Sequence, residues 1–564
     1  MSENGTNRDN LIAKSGFFTG LHPGMGIAAK AMVASFVVFT VLNVEYAGEL
    51  YGAVRGWIES GLSWYYITAM TVMLFICLYL MFSRFGTIKL GDDDSKPEFS
   101  NFSWFAMLFS AGVGIGILFF GVAEPIFYFD NSGAFGYPNN PHADLQGHGE
   151  MDVQRAVDAM RVTYFHWGLH GWAVYVMIGL CLAYFGFRKK LPLTLRSALY
   201  PVLGERIYGP IGHAVDLLAV FGTVFGVATS LGLGVTQMAT GLNVLFGIDP
   251  GITTQLILIA VISVIATLSA VSGVGNGIRI ISEWNIWLSI VLLAAFVAFG
   301  PFKFLMSFFI TSLGDYIWNV IPMGFWTASE PGNAAWQGGW TIFYWGWWIS
   351  WAPFVGMFIA RISRGRTIRE FMVGVMFVPT TIAFFWICMF GGSAIWQEMN
   401  AVGGPGAAGG AGIIETVRAW NLPNALYGTI DNLFRTSWAG DMSWMIWPMS
   451  ALATILLASW FITSSDSGTL VITTMLSMGD DDPPKMFRII WGLGEGFVAG
   501  VLLLAGGLKA LQTASIAAAL PISVIMLFMA YGLIKSLVED SSAVAEPLVE
   551  YAPDGTHITQ ELRS

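Results

Sequence analysis

The chain has 564 residues, 55% of them hydrophobic and only 11% charged, with a formal net charge of −10 and a mean hydropathy of +0.63. Soluble domains carry about 25% charged residues, so a water-soluble fold of this length would leave too much apolar surface exposed. The acidic balance and the lack of a basic footprint disfavour a nucleic-acid partner. The three cysteines, Cys77, Cys181 and Cys388, lie far apart in apolar stretches and suggest neither a disulfide framework nor a zinc site.

A transmembrane helix needs about 20 mostly apolar residues. In chain order, such runs fall near 28–50, 62–83, 103–127, 161–185, 212–246, 252–272, 281–300, 340–361, 369–392, 443–473, 487–507 and 511–534. The fold class is therefore an all-α polytopic membrane protein with twelve transmembrane helices, because runs this long satisfy their backbone in lipid as helices. Residues 1–27 form a polar tail without a cleavable signal pattern, and 28–83 hold the first two spans. Lys303, Asp315, Pro322 and Pro331 interrupt the apolar stretch 301–338, which reads as an interfacial helix and loop. Residues 535–564 form a short acidic tail.

Basic residues gather in alternate loops: Arg84, Lys89 and Lys96; Arg188, Lys189, Lys190, Arg196 and Arg206; Arg361, Arg364, Arg366 and Arg369; Lys485 and Arg488. The positive-inside rule puts these loops, and both termini, in the cytoplasm of a cell (inner) membrane protein. The acidic stretch 130–160 and the Gly/Ala-rich segment 401–412 then face outside as solvated loops.

Three clusters carry the chemistry. In the third span, Gly112, Gly114 and Gly116 alternate, and each glycine costs a helix about 1 kcal/mol relative to alanine. They could serve close helix packing or a break that bares backbone amides and carbonyls to a solute. The two-residue spacing forms no single helical face, which favours a break. The eighth span carries Trp340, Tyr344, Trp347 and Trp351 within about 60° at 100° per residue, with Trp348 at the edge of that stripe. Trp167, Trp172 and Tyr175 share an arc of about 140° on the fourth span. Indole and phenol faces attract quaternary ammonium groups by about 0.5–2 kcal/mol per contact. With no Asp in the glycine segment, a zwitterion fits better than a bare cation, since its carboxylate can take the free amides of a broken helix. The third cluster is Thr463-Ser464-Ser465-Asp466-Ser467. It is either a capped helix end or an oxygen-lined cation site or gate. Glu124, Glu283 and Glu495 read as structural or helix-end residues. His166 and His170 lack the HExxH pattern of a metalloenzyme, and a channel would need rings of charge or carbonyls.

At these residues the sequence resembles the betaine/carnitine/choline transporter family over about 28–535. The likeness is most specific at Trp347-Trp348-Ile349-Ser350-Trp351, the glycine segment, Phe165-His166-Trp167 with Trp172 and Tyr175, and the loop Ala360–Arg366. The resemblance implies a five-plus-five inverted repeat of the leucine-transporter type, with 103–300 (spans 3–7) and 340–534 (spans 8–12) as the repeats. It also implies a homotrimer in lipid. The substrate would be a small zwitterionic onium compound held by Trp167, Trp172, Tyr175, Trp347, Trp348, Trp351, Gly112, Gly114 and Gly116. No cofactor and no catalytic residue are implied. Sodium would be the coupling ion, at Ser110, Val113, Thr463 and Ser464. Exchangers of the family place an Arg where this chain has Thr223, so coupling is expected. Val227 replaces the threonine of a second proposed ion site, so a second ion is not expected. Gly116, in place of the Asp of choline carriers, and the presence of Trp351 point to glycine betaine, with dimethylsulfoniopropionate close behind. The alternatives are a sodium-independent carnitine/betaine exchanger and a choline carrier. The short acidic tail implies weak osmotic activation.

Overall fold

The computed structural model describes residues 10–112, 114–130, 141–142, 151–329, 331–545, 550–551 and 557–558. Apart from a two-residue ladder joining Glu550–Tyr551 to His557–Ile558, the described elements are helical. Twelve helices are long and apolar enough to cross a membrane, and the bent pair Asn101–Ser110 and Gly114–Phe129 adds a further broken one. This is a multi-pass membrane protein.

One of these candidates differs from the reading above. Phe302–Phe325 is a 24-residue helix. It begins beside Gly300, which packs on Leu433, and ends at Trp326, against His142 and Trp336. Both of its ends therefore lie at the face opposite the basic loops, and it is not a crossing. With it set aside, twelve spans remain. The chain termini agree with that even number. The His22 amide donates to the Leu476 carbonyl, and Lys189 pairs with Asp540, both at the basic face.

Boundaries also move. The first span is Pro23–Leu42, followed by a separate amphipathic helix, Val44–Gly61, that holds Glu45, Glu49, Arg55 and Glu59. The fourth span breaks at Gly168 into Val153–Trp167 and Leu169–Ala183. A Cβ at Gly168 would sit 2.5 Å from the Tyr164 carbonyl and 2.6 Å from the Tyr316 hydroxyl. The tenth span is helical over Ile446–Leu476, so the serine-rich run lies inside a helix and does not cap its end. The last two spans belong to one helical segment, Lys485–Ala545. Its two ends share the basic face, through Arg488 with Asp482 and Asp540 with Lys189, so the chain doubles back within it.

The packing pairs the two halves by exchange. The third span packs on the ninth as the eighth packs on the fourth. The third packs on the seventh as the eighth packs on the twelfth, where Gly346 meets Ile516. The seventh packs on the ninth as the twelfth packs on the fourth, and the fifth and tenth pack on each other. Swapping 3–7 for 8–12 thus maps these pairings onto one another. Five spans per half make the second half start at the opposite face, which is an inverted repeat. The loop Ala360–Arg366 clasps the first basic loop, around Lys89. The Gly365 amide donates to the Leu90 carbonyl and the Leu90 amide to the Arg366 carbonyl, each at 2.8 Å, and the Arg366 guanidinium sits 3.8 Å over Trp104.

Candidate functional site: an aromatic box at a glycine break

The third span bends by 63° between Asn101–Ser110 and Gly114–Phe129. Gly114 sits at φ +32°, in the left-handed region that side chains disfavour. Val113 lies outside the described residues. Around the break, missing side chains make room for indoles. A Cβ at Gly112 would lie 2.7 Å from Trp172, and one at Gly116 would lie 2.7 Å from Trp167 and 2.9 Å from Trp347. Gly171 and Gly226 do the same for Trp348 and Trp351, at 2.6 and 2.7 Å. Glycines on three different spans are therefore matched to the box.

The structure brings all six expected aromatic residues into one buried, largely edge-to-face cluster. Trp348 lies 6.1 Å from Trp167, 5.8 Å from Trp172 and 4.8 Å from Tyr175 between ring centroids. Trp347 lies 6.2 Å from Trp167 and 6.4 Å from Trp351. The cluster has two lobes. Trp348 faces the fourth span, while Trp347 and Trp351 face the glycine break and the fifth span. Trp167 joins them. Trp348 Nε1 donates to the His166 carbonyl at 3.0 Å. Among the described residues, the indole nitrogens of Trp172, Trp347 and Trp351 have no partner.

Sequence reasoning missed the residue that organises this cluster. Glu124, fully buried two turns beyond Gly116, accepts from Trp167 Nε1 at 2.7 Å and Tyr344 Oη at 2.5 Å through one oxygen. Its other oxygen meets His166 Nδ1 at 2.7 Å and Tyr128 Oη at 3.1 Å. His166 Nε2 lies 3.0 Å from the Thr341 hydroxyl. With the proton on Nδ1, the imidazole donates to Glu124 and accepts from Thr341. A single carboxylate thereby joins two rings of the fourth span, one of the eighth and one of its own. The signal available was a lone carboxylate inside an apolar span, which marks function by default.

The expected ion ligands lie alongside. Ser110 Oγ is buried and, among the described residues, unpartnered. Thr463 and Ser464 both donate to the Trp460 carbonyl, at 2.8 and 3.1 Å, which leaves oxygen lone pairs free. Ser464 Oγ lies 3.4 Å from where a Cβ on Gly114 would be. Asn285 of the seventh span, also missed, donates to Thr463 Oγ1 at 3.4 Å. Thr223 and Val227 of the fifth span pack instead on Gly468. Among the described residues no group of three His, Cys, Asp or Glu could hold a metal. At the rim opposite the basic loops Arg161 pairs with Asp158 and Asp315, and Arg418 with Asp130. Burial, with His166 and Arg161 nearby, pushes the His142 imidazole down to about 3, so it is neutral there.

The sequence model for the betaine/carnitine/choline family transporters matches residues 25–542. The chain belongs to this transporter family. A probable glycine betaine transporter of Desulfitobacterium hafniense (strain Y51) is 42% identical over 91% of this chain and 97% of its own length. A glycine betaine transporter of Bacillus subtilis (strain 168) is 43% identical, covering 90% and 93%. A glycine betaine/proline/choline transporter of Vibrio parahaemolyticus is 38% identical, covering 94% and 93%. A solved Na+-coupled sialic acid symporter aligns over 83% of this chain and 86% of its own, at 14% identity and a TM-score of 0.41, a likeness too slight to place any residue. As a family member the chain is a transporter and not an enzyme.

Proposed function

We propose that this transporter takes up a zwitterionic quaternary ammonium or sulfonium osmolyte, glycine betaine first and dimethylsulfoniopropionate second, driven by sodium. The observation that carries the reading is the coincidence of box and break: Trp167, Trp172 and Trp347 lie directly against Gly112 and Gly116. An onium head among the rings would exchange hydration for several cation–π contacts. Its carboxylate would meet amides bared at the glycine break. Glu124 does not convert this into a choline site, because its two oxygens are already engaged by four side chains. The names of the curated relatives support betaine.

Sodium binds between Ser110, Val113, Thr463 and Ser464, touching both the break that receives substrate and the tenth span. Substrate and ion then stabilise the same arrangement of the third span, which is the differential affinity that coupling requires. Arginine is absent at Thr223, so no fixed cation replaces the ion there. The protein works as a homotrimer in the cell membrane with both termini cytoplasmic, as the basic loops indicate. The test is uptake of labelled glycine betaine into proteoliposomes, with and without a sodium gradient and with unlabelled competitors. Counterflow without sodium would instead favour an exchanger.

A further inference from the structure

Outside the box, the tenth and eleventh spans each bury a carboxyl that has no cation beside it among the described residues. Asp466 of the tenth span and Glu495 of the eleventh are 0% and 1% exposed. Glu495 lies ten residues after Lys485 and Asp466 ten before Leu476. At 1.5 Å per residue both are about 15 Å from the basic face, near the middle of a hydrocarbon core about 30 Å thick. The helices meet there through small residues. A Cβ at Gly468 would lie 2.9 Å from Val227 and 3.6 Å from Glu495 Oε1, and one at Gly496 would lie 2.0 Å from Ser263 Oγ.

The two carboxyls are solvated differently. Asp466 accepts from Ser269 at 2.5 Å on one oxygen and from Ser467 at 3.1 Å on the other. Glu495 accepts from Ser465 at 3.0 Å on Oε2, and the Thr469 hydroxyl lies beside the carboxyl, while Oε1 makes no hydrogen bond of ordinary geometry among the described residues. Ser263 Oγ, buried beside Gly496, is likewise unpartnered. Among the described residues no cation pairs with either carboxyl. On the same helix, Arg488 is bound to Asp482 and the Ala270 carbonyl. Lys30 of the first span, which packs on this helix, lies over Phe17, Phe18 and Phe487. The sixth span, Ile252–Ser272, carries no charge. On the fifth, Asp216 is held by Arg196, which also meets His213. On the seventh, Arg279 is 3.9 Å from Glu283, which accepts from Ser103. An unpaired anion at mid-bilayer is costly, and an intramembrane carboxyl with a free oxygen of this kind marks a proton site.

We propose that Glu495 is a protonation site that holds a proton on Oε1 while the interface of spans 6, 10 and 11 is closed, and releases it to water when that interface opens. The site lies one turn from Thr463 and Ser464, so its charge bears on the helix assigned to the ion. Only the uptake arm of the test rests on the transport reading above.

Infrared difference spectra of the purified protein in lipid read the proton directly. The expected result is a protonated-carboxyl band at neutral pH that disappears in Glu495→Gln, shifts in Glu495→Asp and persists in Asp466→Asn. In proteoliposomes at fixed sodium gradient, betaine uptake of the wild type should change about tenfold as rising pH removes the proton, a tenfold change being about 1.4 kcal/mol. Glu495→Gln should flatten that profile while keeping sodium-dependent uptake. If Glu495→Gln does not reach the membrane, the shift in Glu495→Asp decides. An infrared band unchanged in both Glu495 variants, or no band at all, overturns the proposal. If no variant accumulates betaine, the transport reading fails and the infrared arm still decides this one.

Discussion

At the scale of single residues, Trp348 is the ring through which the box couples to the fourth span. Trp348→Ala removes its faces from the onium head. Losing about 1.4 kcal/mol of cation–π contact corresponds to a tenfold change, so the KM for betaine should rise about tenfold with insertion retained. An unchanged KM would place the substrate elsewhere. Gly116→Ala should abolish uptake, because its Cβ would clash with both Trp167 and Trp347, and tryptophan fluorescence should show repacked rings. Glu124→Gln replaces an acceptor of four bonds with a group that must itself donate. It should weaken betaine binding at least as much as Trp348→Ala, and an unaltered KM would reduce Glu124 to packing. The aromatic residues were legible because tryptophan at mid-depth departs from its usual interfacial place. Glu124 showed only as a lone carboxylate in an apolar span, because three of its four partners lie 42, 43 and 220 residues away and nothing local tells which rings it joins.

At the scale of elements, the tenth span is the one whose sequence admits two structures. A serine-rich run reads equally as a helix end and as a polar interior, and only the continuation to Leu476 decides for the interior. Its neighbours argue for an ion. The Thr463→Ala, Ser464→Ala double variant should raise the sodium concentration for half-maximal uptake about tenfold or more, while the betaine KM at saturating sodium stays within about twofold. Equal loss in both would mean a packing defect. The break at Gly168 escaped sequence reading because a single glycine inside a helical pattern is tolerated. What breaks the helix is a tertiary neighbour, the Tyr316 hydroxyl bound to the Leu169 amide at 3.2 Å. Phe302–Phe325 is long and apolar enough for a span; Lys303, Asp315 and Pro322 argue against one in the sequence, and the positions of its ends show that it does not cross.

For the whole molecule, periodicity and charge placement were enough for twelve spans, and the exchange of packing partners between halves adds the inverted repeat, which no local pattern displays. The C-terminal end is tied down: Asp540 accepts from Tyr184 Oη at 2.5 Å and pairs with Lys189. Beyond it the residues are acidic, with Glu546, Glu550 and Asp554, and offer little to anionic lipid. Uptake in proteoliposomes should therefore change less than about twofold as external osmolality is raised; a many-fold rise would contradict this.

The most direct measurement is a cryo-EM map of the protein with saturating glycine betaine. The account predicts the trimethylammonium head within about 6 Å of the rings of Trp167, Trp347 and Trp348, with the carboxylate at the amides of Gly112 to Gly116. Ligand density away from these rings, or indoles turned out toward lipid, would contradict it.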